Sequence, residues 1–257
     1  MANRERDFIH IWRDGYLLPD RNISGNFDAP LSLFVTYDGT IFLDNGISFA
    51  RVDRWQLNDT TGTTIMNIPE ECYSIFIDTS NHIYCAATAA HQIVKKWLGD
   101  NGTLSVRIAG NGVAGSTSSM LHYPAGVFVD HSFRMYVGDC GNNRVQMFLF
   151  GQPTATTVAG DGAPGTVTLW CPNGVALDAN GYLFISDTFG NRFFAQGPLG
   201  FRCLFGCTGV AGSSSTQLYY PRTFSFDSYG NIFITDQINY RIQKFLLVSN
   251  SCSEYSF

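Results

Sequence analysis

Three carboxylate–guanidinium pairs recur at one spacing. Asp139 and Arg144, Asp187 and Arg192, and Asp236 and Arg241 are each five residues apart. At the two ends of one loop, such groups can form a charge-assisted pair that clamps a polar substrate or ties the loop together. A single active site needs a unique constellation, and this one occurs three times, so it reads as a structural ion pair. The five histidines (His10, His82, His91, His122, His131) form no short ligand motif. A metal site needs converging His, Cys or carboxylate groups, and none is expected here. His91 and His122 fall where they could share one face. Gly110-Asn111-Gly112 and Gly160-Asp161-Gly162 resemble phosphate cradles in composition, but they do not open a helix as a phosphate loop does. They read as connections, and no cofactor is expected.

Seven cysteines are present, with no CxxC pair. Strict strand pairing sets Cys72 opposite Thr88 and away from Cys85. Cys203 and Cys207, if extended, lie roughly 13 Å apart, too far for a disulfide. Cys140 and Cys171 should fall on the same face and are the one candidate pair. Free or buried thiols throughout are the favoured reading.

The elements that must position these residues follow from an internal repeat. Pro124 to Phe148 reads PAGVFVDHSFRMYVGDCGNNRVQMF, Pro172 to Phe194 reads PNGVALDANGYLFISDTFGNRFF, and Pro221 to Phe245 reads PRTFSFDSYGNIFITDQINYRIQKF. Proline, two aspartates and the arginine keep their offsets. Two looser copies precede them. Pro30 to Trp55 has Asp38-Gly39 at its turn and Arg51 one position late. Cys72 to Trp97 keeps Asp78, has Ala87 in place of the second aspartate and lacks the arginine. A Val-Ala-Gly or Ile-Ala-Gly phrase closes several copies. Each copy reads as four short strands, A to D, split by Gly-rich turns, as in Asp178-Ala179-Asn180-Gly181. Short, evenly spaced strands on a period of about 48 residues select a β-propeller, because one small sheet needs neighbours to cover both faces.

The phrases Pro-x-Gly-Val-x-x-Asp and Asp-x-x-x-Asn-Arg-Val resemble the NHL repeat, over nearly the whole chain and most strongly from about Tyr123 onward. The resemblance implies an all-β NHL-type propeller of four-stranded antiparallel blades. Five blades are counted, starting near 30, 72, 124, 172 and 221, in one domain spanning 1–257. The family usually has six, so a six-bladed ring or a fragment of one stays open. Residues 1–29 hold a spare strand, Phe8 to Trp12, and the last copy has no Val-Ala-Gly phrase. The segment near Asp7 to Trp12 is therefore expected to pair with the last blade as its outermost strand. The family spans protein-binding and RNA-binding modules, extracellular domains and zinc-using amidating lyases, so the likeness implies fold more sharply than function. No motif here matches the lyases' histidine-bound zinc.

Composition narrows the partners. Charged residues are 14% of the chain, the net charge is −5 and there are three lysines. That balance argues against nucleic acid and anionic membrane surfaces. No apolar run is long enough to span a bilayer. The polar start, Met1 to Asp7, reads as cytosolic if the chain is complete, and as uninformative if it is a piece of a longer secreted protein. Sequons at Asn22, Asn58 and Asn101 permit an extracellular setting. The residues two before each proline (His122, Trp170, Tyr219) and just after it (Asn173, Arg222) vary within the fixed frame. They belong to types that anchor interfaces. The expected function is non-catalytic binding of a protein or peptide through the loop face by a monomeric scaffold. A metal-dependent lyase or hydrolase using the central channel is the alternative, and an RNA-binding module the third.

Overall fold

A computed structural model describes residues 2–3, 8–11, 21–24, 27–46, 48–56 and 58–246. It is an all-β five-bladed propeller. The first blade holds β4 (Leu33–Val35), β5 (Ile41–Asp44), β6 (Arg51–Trp55) and β7 (Thr63–Asn67). It follows a separate sheet of β1 (Ala2–Asn3), β2 (Phe8–Ile11) and β3 (Arg21–Ser24). The second blade holds β8 (Cys72–Ile77), β9 (His82–Ala87), β10 (Gln92–Trp97) and β11 (Val106–Ala109). The third holds β12 (Pro124–Val129), β13 (Met135–Asp139), β14 (Arg144–Phe148) and β15 (Ala155–Gly160). The fourth holds β16 (Pro172–Leu177), β17 (Leu183–Asp187), β18 (Arg192–Gly197) and β19 (Gly200–Phe205). The fifth has three strands among the described residues, β20 (Pro221–Phe226), β21 (Ile232–Asp236) and β22 (Arg241–Phe245). Neighbouring strands are antiparallel and follow chain order. Among the described residues no helix is long and apolar enough to cross a membrane.

The apolar cores sit between blades. Phe42, Val52 and Met66 of the first pack on Ile75, Ile83 and Val94 of the second. Ala86 and Ile93 meet Val127 and Val137, Tyr136 and Val145 meet Val175 and Ile185, and Phe193 meets Ile232 and Ile234. Burying both faces of a sheet needs this stacking, and β13 is buried along its whole length. The glycine of Pro-x-Gly-Val has a steric reason. A Cβ on Gly126 would run into the Asn173 carbonyl oxygen, where two innermost strands converge. The A–B turns are held by one aspartate each. Asp130 Oδ1 accepts the N–H groups of Ser132 and Arg134 at 2.9 Å, and Asp178 Oδ1 accepts those of Asn180 and Tyr182 at 2.9 and 2.8 Å.

Two expectations are corrected. The first is that the segment near Asp7 to Trp12 pairs with the last blade. The described part, β2, lies between β1 and β3, so both its edges are taken; Asp7 and Trp12 fall outside the described residues. Ile9 and Ile23 pack against Phe27, Ile41, Leu43 and Trp55 instead. A hairpin partner a dozen residues away closes a far shorter loop than one at the other end of the chain. The second is the reading of free thiols. Cys72–Cys85, Cys140–Cys171 and Cys203–Cys207 are all disulfides. A bulge between Cys72 and Ile75 sets Cys72 opposite Ala87 and Ile75 opposite Cys85, which brings the Cα atoms of Cys72 and Cys85 to 5.4 Å. Cys207 is not in an extended run: Gly206 adopts φ +67° just after β19 and folds the chain back, placing the two Cα atoms 5.6 Å apart.

Loop closure ranks these bridges. Replacing Cys140 and Cys171 by serine, a pair separated by 31 residues, should lower stability by about 3–4 kcal/mol; the Cys203/Cys207 double serine variant, separated by 4, should lose only about 2 kcal/mol. Urea denaturation of both variants checks the order, and equal losses would contradict it.

Candidate binding face

The second aspartate of each clear repeat ends strand B and is fully buried: Asp139, Asp187 and Asp236. One oxygen accepts the backbone N–H two residues before the proline, from His122 (2.7 Å), Trp170 (2.6 Å) and Tyr219 (2.6 Å). The other holds the arginine that opens strand C, through Arg144 at 2.8 Å, Arg192 at 2.7 Å and Arg241 at 2.7 Å. The guanidinium reaches on to carbonyls of the incoming D–A loop. Arg144 donates to Ser116, Thr117 and Met120, and Arg241 to Ser213, Ser214 and Gln217. Burial pushes the Asp139 and Asp187 carboxyls up from the usual range, against the pull of these hydrogen bonds. Both oxygens of Asp139 accept hydrogen bonds and the residue is fully buried, so the carboxylate does not open onto solvent.

A second tie runs between blades. The residue before strand C sits in the left-handed region: His91 (φ +52°), Asn143 (+53°) and Asn191 (+54°). Its side chain accepts the N–H of the residue just before the next blade's first strand. His91 Nδ1 takes Tyr123 at 3.1 Å, Asn143 Oδ1 takes Cys171 at 3.1 Å, and Asn191 Oδ1 takes Tyr220 at 3.0 Å. Tyr123, Cys171 and Tyr220 are themselves left-handed, at φ +50°, +67° and +56°. Non-glycine residues rarely adopt that region, and this hydrogen bond holds them in it.

These ties turn aromatic side chains outward on one face. Trp170 is 61% exposed, Phe189 40%, Tyr219 36% and Tyr220 36%. Phe189 stands between Trp170 (6.2 Å between ring centroids) and Tyr220 (5.3 Å), and Tyr220 meets Tyr219 at 5.5 Å. The result is an arc across the fourth and fifth blades. Toward the second and third blades, His91, His122 and the exposed Tyr123 form another group, with centroids 4.8–5.6 Å apart. The Cys140–Cys171 bridge lies between the two groups along the chain and joins the third blade's B–C loop to the fourth blade's entry loop.

The two positions after the proline lie on the first strand of their blades and not in the entry loop. Asn173 is buried at 6% exposure, which removes it from the accessible face. It lies on an innermost strand, whose carbonyl at this residue fills the space left by Gly126. Arg222 is half-buried, with its guanidinium 4.8 Å from the ring centre of Tyr73 on the second blade. The residues missed in the sequence are Tyr123, Tyr220 and Phe189. Two of them precede the proline directly and could have been read from the repeat frame. Phe189 could not, because nothing in its spacing shows that the B–C loop brings it between two other rings. Among the described residues no three His, Cys, Asp or Glu side chains are grouped to hold a metal ion.

No protein-family model matches the chain, and no curated protein matches it in sequence. Solved propellers match it in structure. A streptogramin B lyase superposes with TM-score 0.61 at 13% identity, covering 96% of this chain and 78% of that one. A chain of a nidogen–laminin complex gives TM-score 0.62 at 18% identity, covering 84% and 75%. Virginiamycin B lyase from Staphylococcus aureus gives 0.53 at 10%, covering 85% and 84%. At these identities the likeness defines the fold.

Two outcomes follow from the ties. Asp139→Ala should cost about 3–5 kcal/mol, because Arg144, with a side chain only 9% exposed, is left as a buried unpaired charge. Asp236→Ala should cost less, since the Arg241 side chain is 30% exposed and water can screen it; equal unfolding midpoints for the two variants would refute this. His91 must be neutral at Nδ1 to accept the Tyr123 N–H. Burial and the neighbouring His122 hold its pKa below the ordinary 6.5, against the pull of Asp139. The unfolded chain therefore takes up the proton first. The tie's contribution is present above the unfolded value and is lost as pH falls from roughly 7 toward 5. His91→Asn should flatten that part of the melting-temperature profile, and an unaltered slope would exclude His91 as its source.

Proposed function

We propose that the chain is a non-catalytic propeller of NHL type that binds a protein or peptide on its loop face. The observation that carries this is the exposed arc of Trp170, Phe189, Tyr220 and Tyr219, set on loops held by buried hydrogen bonds. Rigid aromatic side chains are the residues that dominate binding energy at interfaces, and a fixed scaffold lowers the ordering cost of association. The likeness to a propeller chain crystallised as a nidogen–laminin complex supports a protein partner. The three disulfides support an oxidising, extracellular setting, with which the exposed sequon residues Asn58 and Asn101 agree. The alternative, a lyase, draws on the streptogramin B lyase likeness and on the His91–His122 pair. Against it stands the full burial of the neighbouring Asp139.

Peptides selected from a random display library on the wild-type protein test the reading. Trp170→Ala and Tyr220→Ala should each weaken the selected peptides at least about tenfold, a loss of about 1.4 kcal/mol or more, with unchanged melting. Tyr229→Ala, 81% exposed on the A–B turn of the fifth blade, should leave them unaffected. Selected peptides that bind both loop-face variants as well as wild type would overturn the proposal.

A further inference from the structure

The opposite face, which carries the A–B and C–D turns, holds a cleft of about 290 Å³ between the second and third blades. Its floor is apolar. Val129, Met135 and Phe148 are almost fully buried and belong to the core between these blades, with Ile108 packed beside them. Its mouth is formed by Phe150, 71% exposed, and Leu149, 53% exposed, from the C–D turn of the third blade. Phe133 lies 5.9 Å from the Phe150 ring. Large apolar side chains left open around an apolar cavity mark a place where another apolar body fits.

Lys95 sets the chemistry of that body. On β10 it points to the same side as Ile93, whose side chain is in the core between these two blades. Its ammonium lies 5.9 Å from the ring centres of both Tyr84 and Phe150. It is half-buried and, among the described residues, makes no hydrogen bond or ion pair. Its neighbour shows what a satisfied lysine looks like here: Lys96 Nζ donates to the carbonyls of Trp97 and Asp100 at 2.8 and 2.7 Å. Among the described residues no carboxylate lines the cleft, whose other polar side chains are the Tyr84 phenol and the Gln152 amide. The Tyr84 hydroxyl donates to Asp78 at 2.8 Å, and Asp130 pairs with Arg134 at 2.6 Å. A half-desolvated cation against aromatic faces, with no anion of its own, is complementary to an incoming anion.

We propose that this cleft binds a small amphiphilic carboxylate, its hydrocarbon body between the two blades and its carboxylate on Lys95. The volume lies at the lower end of small-molecule sites, about 300 Å³, which favours one medium alkyl chain. The site is distinct from the loop face and does not rest on the reading given there.

Calorimetric titration with decanoate, below its micelle concentration, tests it. Wild type should bind one decanoate per chain saturably and bind decanol at least tenfold more weakly. Lys95→Met keeps most of the stem and removes the charge; it should weaken decanoate at least tenfold and leave decanol unchanged. Phe150→Ala, at a position 71% exposed, should weaken both ligands. Trp170→Ala should change neither. Equal affinity for decanoate and decanol, decanoate binding that survives Lys95→Met, or tighter binding of an acetylated peptide ending in a free apolar residue would overturn the proposal.

Discussion

A buried carboxylate has to be satisfied within the protein, and three blades solve that problem in one way. Asp139, Asp187 and Asp236 lie at zero exposure, where an uncompensated charge would cost several kcal/mol. Each takes a backbone N–H from the entry loop on one oxygen and an arginine on the other. Arg144 and Arg241 each place further donors on three carbonyls of that same loop, and Arg192 on one, that of Thr168. The carboxylate thus fixes three things at once: the end of strand B, the start of strand C and the path into the blade. Because the entry loop is pinned at the residue two before the proline, the side chain of that residue is held in place. The geometry of the loop face is a consequence of charge burial.

The looser copies show what happens when the set is incomplete. In the first blade the arginine comes one position late, and Arg51 pairs with Asp53 at 3.2 Å. Asp44, at the place of the missing pair, is fully buried and has the Leu31 N–H at 3.3 Å. Burial pushes its carboxyl up to about 7, with Glu71 adding to the rise. Desolvation is here met by a shift toward the protonated form, the other way open to a buried acid. In the second blade Ala87 stands in place of the aspartate, so no carboxylate is buried at that position. Its tie to the next blade survives on His91 in place of asparagine. The interblade hydrogen bond is therefore kept even where the ion pair is lost.

What was legible in the sequence was what repeats. The Asp/Arg spacing, the turn aspartates and the proline frame all recur, and recurrence marks positions bound by the same local constraint. What was not legible depends on departures from regular geometry. The bulge that brings Cys72 to Cys85 shifts the register within β8, and strict pairing cannot foresee it. The turn at Gly206 makes Cys203 and Cys207 neighbours although four residues of extended strand would separate them. Arg222 reaches Tyr73 from another blade, a contact no spacing announces. Asn173 and Trp170 both flank a proline and vary alike in the sequence, yet one is buried on an inner strand and the other exposed on a loop.

That division says where function can reside on such a scaffold. Positions shared by the three clear copies are consumed by the fold: their carboxylates and guanidiniums are paired, and changing one disturbs a whole loop. Positions that differ between blades carry no common structural duty, so their exposed apolar groups and unpaired charges need another explanation. Trp170, Phe189 and Tyr220 on one face, and Lys95 with Phe150 on the other, are of this second kind. They lie on opposite faces of the propeller, at opposite ends of the strands. A ligand on the turn face would leave the aromatic arc unchanged unless it altered the packing between the second and third blades. The cleft opens at that packing layer, so Val129, Met135 and Phe148 connect the cleft to the core from which the face is built.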